Sequence, residues 1–322
     1  MGINTVLGRL AGQMCIVAAV TVGWASHAVA AEDHGLVLTA RQLPAGTADH
    51  LRALVDASRK QYPGTFQALG QVKGCTRVGY QNNRNPKPVC YHEFHGLGVE
   101  GVPAMLDALL LHDPTALYST DVEKRAVIAG LLRAVGVARD VRAGDLLQLI
   151  FATPGVVDVA QAEAAQALGR LARDTDVSLL IAHSSPSDPL HAAAVEGLGE
   201  CKQVRAAEQL AKLTTQVSTS AQRAWVARSL GHVASSWGWQ ALVRSGKATE
   251  AQGRQVSEIA AKALVPMYAQ ADPAVRTAVL QALRMAEYAQ SAQLIESARA
   301  GKDAATVAAY ADLAQKVAYS MR

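Results

Sequence analysis

Five stretches of this chain repeat one another. Lys124-Arg125-Ala126-Val127 runs on to Leu131, Gln161-Ala162-Glu163-Ala164 to Leu168, and His191-Ala192-Ala193-Ala194 to Leu198. Arg223-Ala224-Trp225-Val226 leads in the same way to Leu230, and Arg276-Thr277-Ala278-Val279 to Leu283. The Leu always stands two helical turns after the opening residue, so both lie on one face of a helix. A small residue precedes it every time (Gly130, Ala167, Gly197, Ser229, Ala282), and three of the five are followed by glycine, at Gly169, Gly199 and Gly231. The motifs recur at roughly 30 to 40 residues, the spacing of helix-pair repeats. Only the last interval is longer, and it contains an insertion around Trp237 to Gln255.

Such a period predicts an all-α fold, an α-solenoid of stacked helix pairs. One pair cannot bury its own apolar stripe, so it stacks on its neighbours, and small residues beside the Leu let adjacent helices approach. An irregular helical bundle is the competing architecture, because Ala- and Leu-rich helices match one another by chance. Composition agrees with packed helices: half the chain is apolar but only 5% is aromatic, with three Phe and four Trp. A chain disordered throughout is excluded on those figures, and closely packed helices are favoured over an aromatic-rich β-sandwich. Against 27 acidic residues stand 31 basic ones, a net charge of +4. That excess is too small and too scattered to suggest nucleic acid as a partner.

The segment Asp272-Pro273-Ala274-Val275-Arg276-Thr277-Ala278-Val279-Leu280-Gln281-Ala282-Leu283 resembles the second-helix motif of HEAT repeats. Val102-Pro103-Ala104-Met105-Leu106 with Asp113-Pro114, and Leu264-Val265-Pro266, are similar to other recurring pieces of that family. Asp-Pro is sound helix-start chemistry in its own right, an acidic cap followed by proline in the first turn. The unit at Asp188-Pro189 reaches its Leu one residue early, and those at Lys124 and Gln161 lack Asp-Pro in register. The resemblance covers about residues 100 to 320. It implies a non-enzymatic scaffold that binds a partner through a curved surface. A bacterial subset resembles bilin-lyase-type repeats, but no residue here carries that activity over.

The N-terminus reads as an export signal, with Arg9 in the positive region, an apolar run from Met14 to Trp24, and Ala28-Val29-Ala30 as a small-x-small cleavage pattern. A membrane span would need about 20 apolar residues, and this run is shorter. Cys15 lacks the setting of a lipoprotein cysteine. Cleavage near Ala30 or Ala31 would leave a soluble chain in the periplasm or outside the cell, with no later run of membrane length. In that oxidising setting Cys75 and Cys90 are the natural disulfide, closing a turn-rich loop through Gln81-Asn82-Asn83-Arg84-Asn85-Pro86. Cys201 sits in a helical pattern and reads as a small buried residue. The domains expected are therefore a signal peptide at 1–30, a helix plus disulfide-closed hairpin at 31–100, and helical repeats over 101–322. Within the second of these, His50 to Gln61 is amphipathic through Leu51, Leu54, Val55 and Ser58, and Tyr62-Pro63-Gly64 ends it.

No catalytic residue, cofactor or metal is assigned by the sequence. The densest polar cluster is Cys90-Tyr91-His92-Glu93-Phe94-His95. With Cys75 it supplies zinc-ligand types, but the spacing is His-Glu-x-His, and in a strand His92 and His95 would point to opposite faces. A hairpin with solvated histidines is one reading; an all-helical enzyme or metal-binding protein with its site here is the rival to the scaffold. His183-Ser184-Ser185, followed by Pro186, reads as a helix exit and turn. His112-Asp113 reads as a surface pair, and Glu163, Glu196 and Glu208 as solvent-facing helix positions. Trp237 and Trp239 flank a glycine in a break between helices, where loop aromatics serve as binding anchors. Either they anchor a protein or peptide partner, or both rings cover the gap left by the long last interval. The basic stretch from Arg244 to Arg254 reads as a solvated loop.

Overall fold

The computed structural model describes residues 34–73, 75, 78–79, 87–88, 90–269 and 271–320. The export segment expected at 1–30 lies outside them, as does most of the loop between Cys75 and Cys90.

Near the start, α1 (Thr47–Gln61) and α2 (Pro63–Gly70) precede a minimal antiparallel hairpin of β1 (Val78–Gly79) and β2 (Lys87–Pro88), then α3 (Tyr91–Gly96). Leu51, Val55 and Ser58 of α1 are buried as the periodicity requires. Pro63 does not lead into a loop, however: it occupies the first turn of α2, where its missing N–H costs nothing. The hairpin reading of the segment carrying His92 and His95 is likewise corrected. Tyr91 to Gly96 turns helical because Tyr91 and Phe94, three positions apart, are buried on one side.

The helices that follow come in pairs. First helices are α4 (Val102–Leu110), α6 (Gly144–Ala152), α8 (Asp174–Ala182), α10 (Val204–Leu213), α13 (Glu250–Tyr268) and α15 (Ser291–Arg299). Their partners are α5 (Asp121–Ala138), α7 (Asp158–Leu171), α9 (His191–Glu200), α11 (Ser220–Val233), α14 (Pro273–Ala286) and α16 (Ala304–Ser320). The insertion contributes one further helix, α12 (Ser236–Arg244). Each second helix packs on the one before and the one after, in the series α5, α7, α9, α11, α14, α16, and on its own first helix. This is an α-solenoid of HEAT-like helix pairs, with one hydrophobic core running its length from Leu36 to Val317.

The repeated Leu are the knobs of that core. Leu131, Leu168, Leu198, Leu230 and Leu283 are all buried. The small residues beside them meet across the junctions between second helices. A methyl group added at Gly136 would lie 2.7 Å from the Ala167 Cα, and one at Gly231 would lie 2.6 Å from the Ala282 Cα. At Gly199 it would press on Ser229, and at Gly169 it would run into the carbonyl oxygen of Gly197. At three junctions the glycine after one Leu therefore faces the small residue before the next; at the α5–α7 junction Gly136, five positions after Leu131, takes that place.

Helix starts follow local chemistry. The carboxylate of Asp272 accepts from the backbone N–H of Ala274 at 2.9 Å and Val275 at 3.0 Å, with Pro273 in the first turn. Thr219 and Thr249 close capping boxes with Gln222 and Gln252. At the other end of the array, the segment Gly35–Val37 satisfies the last carbonyls of α4: Leu36 and Val37 donate to Ala108 and Leu109, each at 3.0 Å. Gly35 is needed there, since any side chain would strike the Leu109–Leu110 backbone.

Candidate functional site

On the side opposite their buried Leu, the second helices carry a polar row. Its residues keep register with the buried Leu. Two positions before it stand Gln166, Glu196, Arg228 and Gln281; two positions after it stand Arg133, Arg170, Glu200 and His232. Neighbouring repeats bond through this row. Arg133 on α5 pairs with Glu163 on α7, both buried. Gln166 donates to Glu196 at 3.2 Å, Arg170 donates to Glu200 at 3.2 Å, and His232 approaches the other Glu200 oxygen at 3.7 Å. The Lys202 ammonium donates to the carbonyl of His232 at the end of α11, where a cation also suits the helix dipole.

Burial and charge tune these groups against one another. Burial raises Glu196 above the usual carboxylate range, helped by Glu163 and Glu200 nearby. Burial would raise Glu200 too, but Arg170, His232 and Lys202 outweigh it and hold that carboxyl below its ordinary value. Desolvation pushes Lys202 down to about 8 and lowers His232 as well. Gln166, Glu196, Arg228 and His232 are the less buried members of the row, while Arg133 and Glu163 join one repeat to the next.

Several sequence expectations change here. Glu163 is not solvent-facing: the next repeat covers it, and Arg133 supplies the counter-charge. Glu196 is half-buried, and only Glu208 lies open. Trp237 and Trp239 belong to α12 and not to a break between helices. Trp237 is 65% exposed, whereas Trp239 is buried and donates through its indole N–H to the Val233 carbonyl at 2.8 Å. Trp239 therefore packs the insertion against the core, as the gap-covering reading expects of it, and of the two rings Trp237 is the exposed one. The stretch from Arg244 is a loop only as far as Thr249, because α13 begins at Glu250 and takes in Arg254.

Cys75 and Cys90 form the expected disulfide, so neither sulfur is a thiolate ligand. His92 and His95 lie on exposed positions of α3 with their rings against Tyr91, at centroid distances of 5.3 and 5.5 Å. Among the described residues no group of three or more His, Cys, Asp and Glu converges to hold a metal ion. Cys201 is buried and its thiol is pushed up to about 12 by desolvation. His183 ends α8 and pairs with Asp188 at 3.1 Å, while Ser184 Oγ accepts from Gln209 and donates to the Ile181 carbonyl. That is a helix exit, with no hydrogen bond from serine to base. Nor are His112 and Asp113 a surface pair with each other: His112 bonds Asp107, and Asp113 bonds Tyr118.

The signal that would have revealed the polar row was present in the sequence, as the residues two places either side of each repeated Leu. It was missed because a charged residue on an amphipathic helix reads as solvated until the neighbouring repeat is in place.

No known protein family matches the sequence, and no curated protein matches it. Among solved structures the chain is similar to human deoxyhypusine hydroxylase in complex with glycerol, at 13% identity over 82% of this chain and 98% of that one, with a TM-score of 0.29. It is also similar to the complex of CpcE and CpcF of phycocyanin lyase from Nostoc, at 18% identity over 62% and 91%, with a TM-score of 0.30. An engineered protein aligns at 15% identity over 63% and 93%, with a TM-score of 0.35. Among the described residues no helix is long and apolar enough to cross a membrane.

Proposed function

We propose that this protein is an exported scaffold that binds a protein, peptide or envelope partner along the face of its second helices. The close approach of those helices carries the reading. Where Gly136, Gly169, Gly199 and Gly231 bring second helices backbone to backbone, bulkier residues such as Leu146, Leu147, Leu210 and Leu264 fill the first-helix side. A stack drawn tighter on one side curves toward that side, which places the polar row on the inner surface. Recognition would then be spread over several repeats, with Gln166, Glu196, Arg228 and Gln281 offering alternating polar and charged contacts. Trp237, exposed beside the array, supplies an aromatic anchor at its rim. The Cys75–Cys90 disulfide and the pattern from Arg9 to Ala30 support an oxidising, exported setting.

Site-specific photo-crosslinking in the native cell tests this. A photoreactive residue at Arg228 or Gln281 is expected to give a discrete adduct, and one at Glu208 on the opposite layer is expected to give none. Adducts from Glu208 alone, or equal labelling from both layers, would overturn the inner-face reading. Export is checked separately by the N-terminal sequence of the mature protein, which is expected to begin at Ala31 or Glu32.

A further inference from the structure

The polar row is not neutral where the second helices end. Around His232 of α11 lie Arg228 of the same helix, Arg170 of α7, and Glu200 and Lys202 at the end of α9. Arg139, which follows α5, adds its field at Lys202. Two carboxylates answer these cations. Glu200 accepts from Arg170 at 3.2 Å and faces His232 at 3.7 Å, and Glu196 accepts from the Gln166 amide at 3.2 Å. Arg139, Lys202 and Arg228 enter no ion pair among the described residues, and the Lys202 ammonium bonds only a main-chain carbonyl, that of His232. Arg133 and Glu163 close on each other and leave the balance unchanged.

Arg139, Arg170, Lys202 and Arg228 thus stand against Glu196 and Glu200, and the excess is cationic. His232 is left out of that count: burial, with Lys202, Arg170 and Arg228 beside it, holds it below its ordinary value, so it is largely uncharged near pH 7.5. The excess is also within reach. Arg139 and Arg228 are exposed, and Lys202 and His232 are partly so. Packed helices lie about 8–10 Å apart, the length of about three residues of extended chain. Carboxylates at every third position of an extended segment therefore match successive second helices. A nucleic acid is the less suited polyanion, because the whole chain carries a net charge of only +4.

We propose that this edge of the second-helix face binds an extended acidic peptide segment, its carboxylates pairing with Arg139, Lys202 and Arg228. The proposal rests on that face being the binding surface and adds the charge of what binds there.

Calorimetric titration of the full chain near pH 7.5 in low salt tests it, using an acetylated, amidated peptide of three Glu-Ser-Gly units. Peptides with Gln or Lys in place of Glu are the neutral and cationic counterparts. The Glu peptide is expected to bind with a dissociation constant of about 1 mM and the Gln peptide about tenfold more weakly. Added salt should weaken the Glu peptide, since the pairing groups are exposed. Arg228→Gln should weaken it about fivefold at an unchanged melting temperature. Lys212→Gln, which removes the same charge from an exposed position of α10, should leave it unchanged. No binding up to about 10 mM, equal binding of the Glu and Gln peptides, or equal loss in both variants would overturn the assignment. Tighter binding of the Lys peptide, or of an oligothymidylate of matched length, would do the same. Discrete crosslinks from Arg228 alongside any of these results would keep the binding face and remove only the acidic partner.

Discussion

A single methyl group is enough to test how the array is spaced. Gly169 faces the carbonyl of Gly197 so closely that any Cβ must push the α7 and α9 backbones apart. Gly169→Ala is therefore expected to lower unfolding stability by about 1–3 kcal/mol, as overpacking does. Gly64→Ala, in α2, meets nothing within 4 Å; it should be neutral or slightly stabilising, because alanine is the better helix former. Urea unfolding of both variants checks the contrast. Lys202 makes a pH prediction at the same scale. Its folded value, about 8, lies below the ordinary 10.5 because burial disfavours the charged form. Between those two pH values the unfolded chain holds a proton that the folded chain has released, so stability should rise with pH across that window. Lys202→Met should flatten the rise, read as midpoint against pH.

At the scale of the element, the second helices end in an uncommon way. Arg139, Ala172 and Glu287 follow α5, α7 and α14 with φ of 53°, 54° and 46°, the left-handed conformation that glycine usually supplies. Ala172 is kept there by what surrounds it: its N–H donates to Leu168 and its carbonyl accepts from Gln203 at 2.7 Å. Both contacts are backbone contacts that glycine would keep. Ala172→Gly is therefore expected to raise stability by about 1 kcal/mol, measured as a shift in thermal midpoint. The helix starts were legible in advance, since Asp272-Pro273 carries its cap and its first turn in adjacent letters. These ends were not, because an αL cap without glycine leaves no mark in a single sequence. The α3 segment was misjudged for a related reason: six residues are too few to show a period, and the burial of Tyr91 and Phe94 decided the matter.

For the molecule as a whole, stability is expected to reside in the junctions between repeats. Arg133 and Glu163 tie the second helices of consecutive pairs together in a buried ion pair. Removing one partner leaves the other charged and enclosed, so Glu163→Gln should cost about 3–5 kcal/mol. Replacing both, as Arg133→Met with Glu163→Leu, should cost clearly less than the sum of the single changes. A double-mutant cycle by denaturant titration measures that coupling, and additive losses would count against the pair as a link between repeats.

The repeated Leu with small flanking residues determined the all-helical, pairwise architecture. It could do so because helix periodicity and the need to cover an apolar stripe are local properties of each unit. The pairing of Cys75 with Cys90 was readable for the same reason, as two cysteines bracketing a turn-rich loop. Tertiary structure alone decided which polar residues lie inside. Glu163 looks like a surface position in the sequence, and only the neighbouring repeat buries it; for Trp239 the sequence left partner anchor and gap cover both open, and the inserted helix makes it the cover. The same holds for Asp107 of α4, a carboxylate buried between Arg59 of α1 and His112. Burial of a polar group depends on what a distant segment brings to it, and no local pattern carries that information.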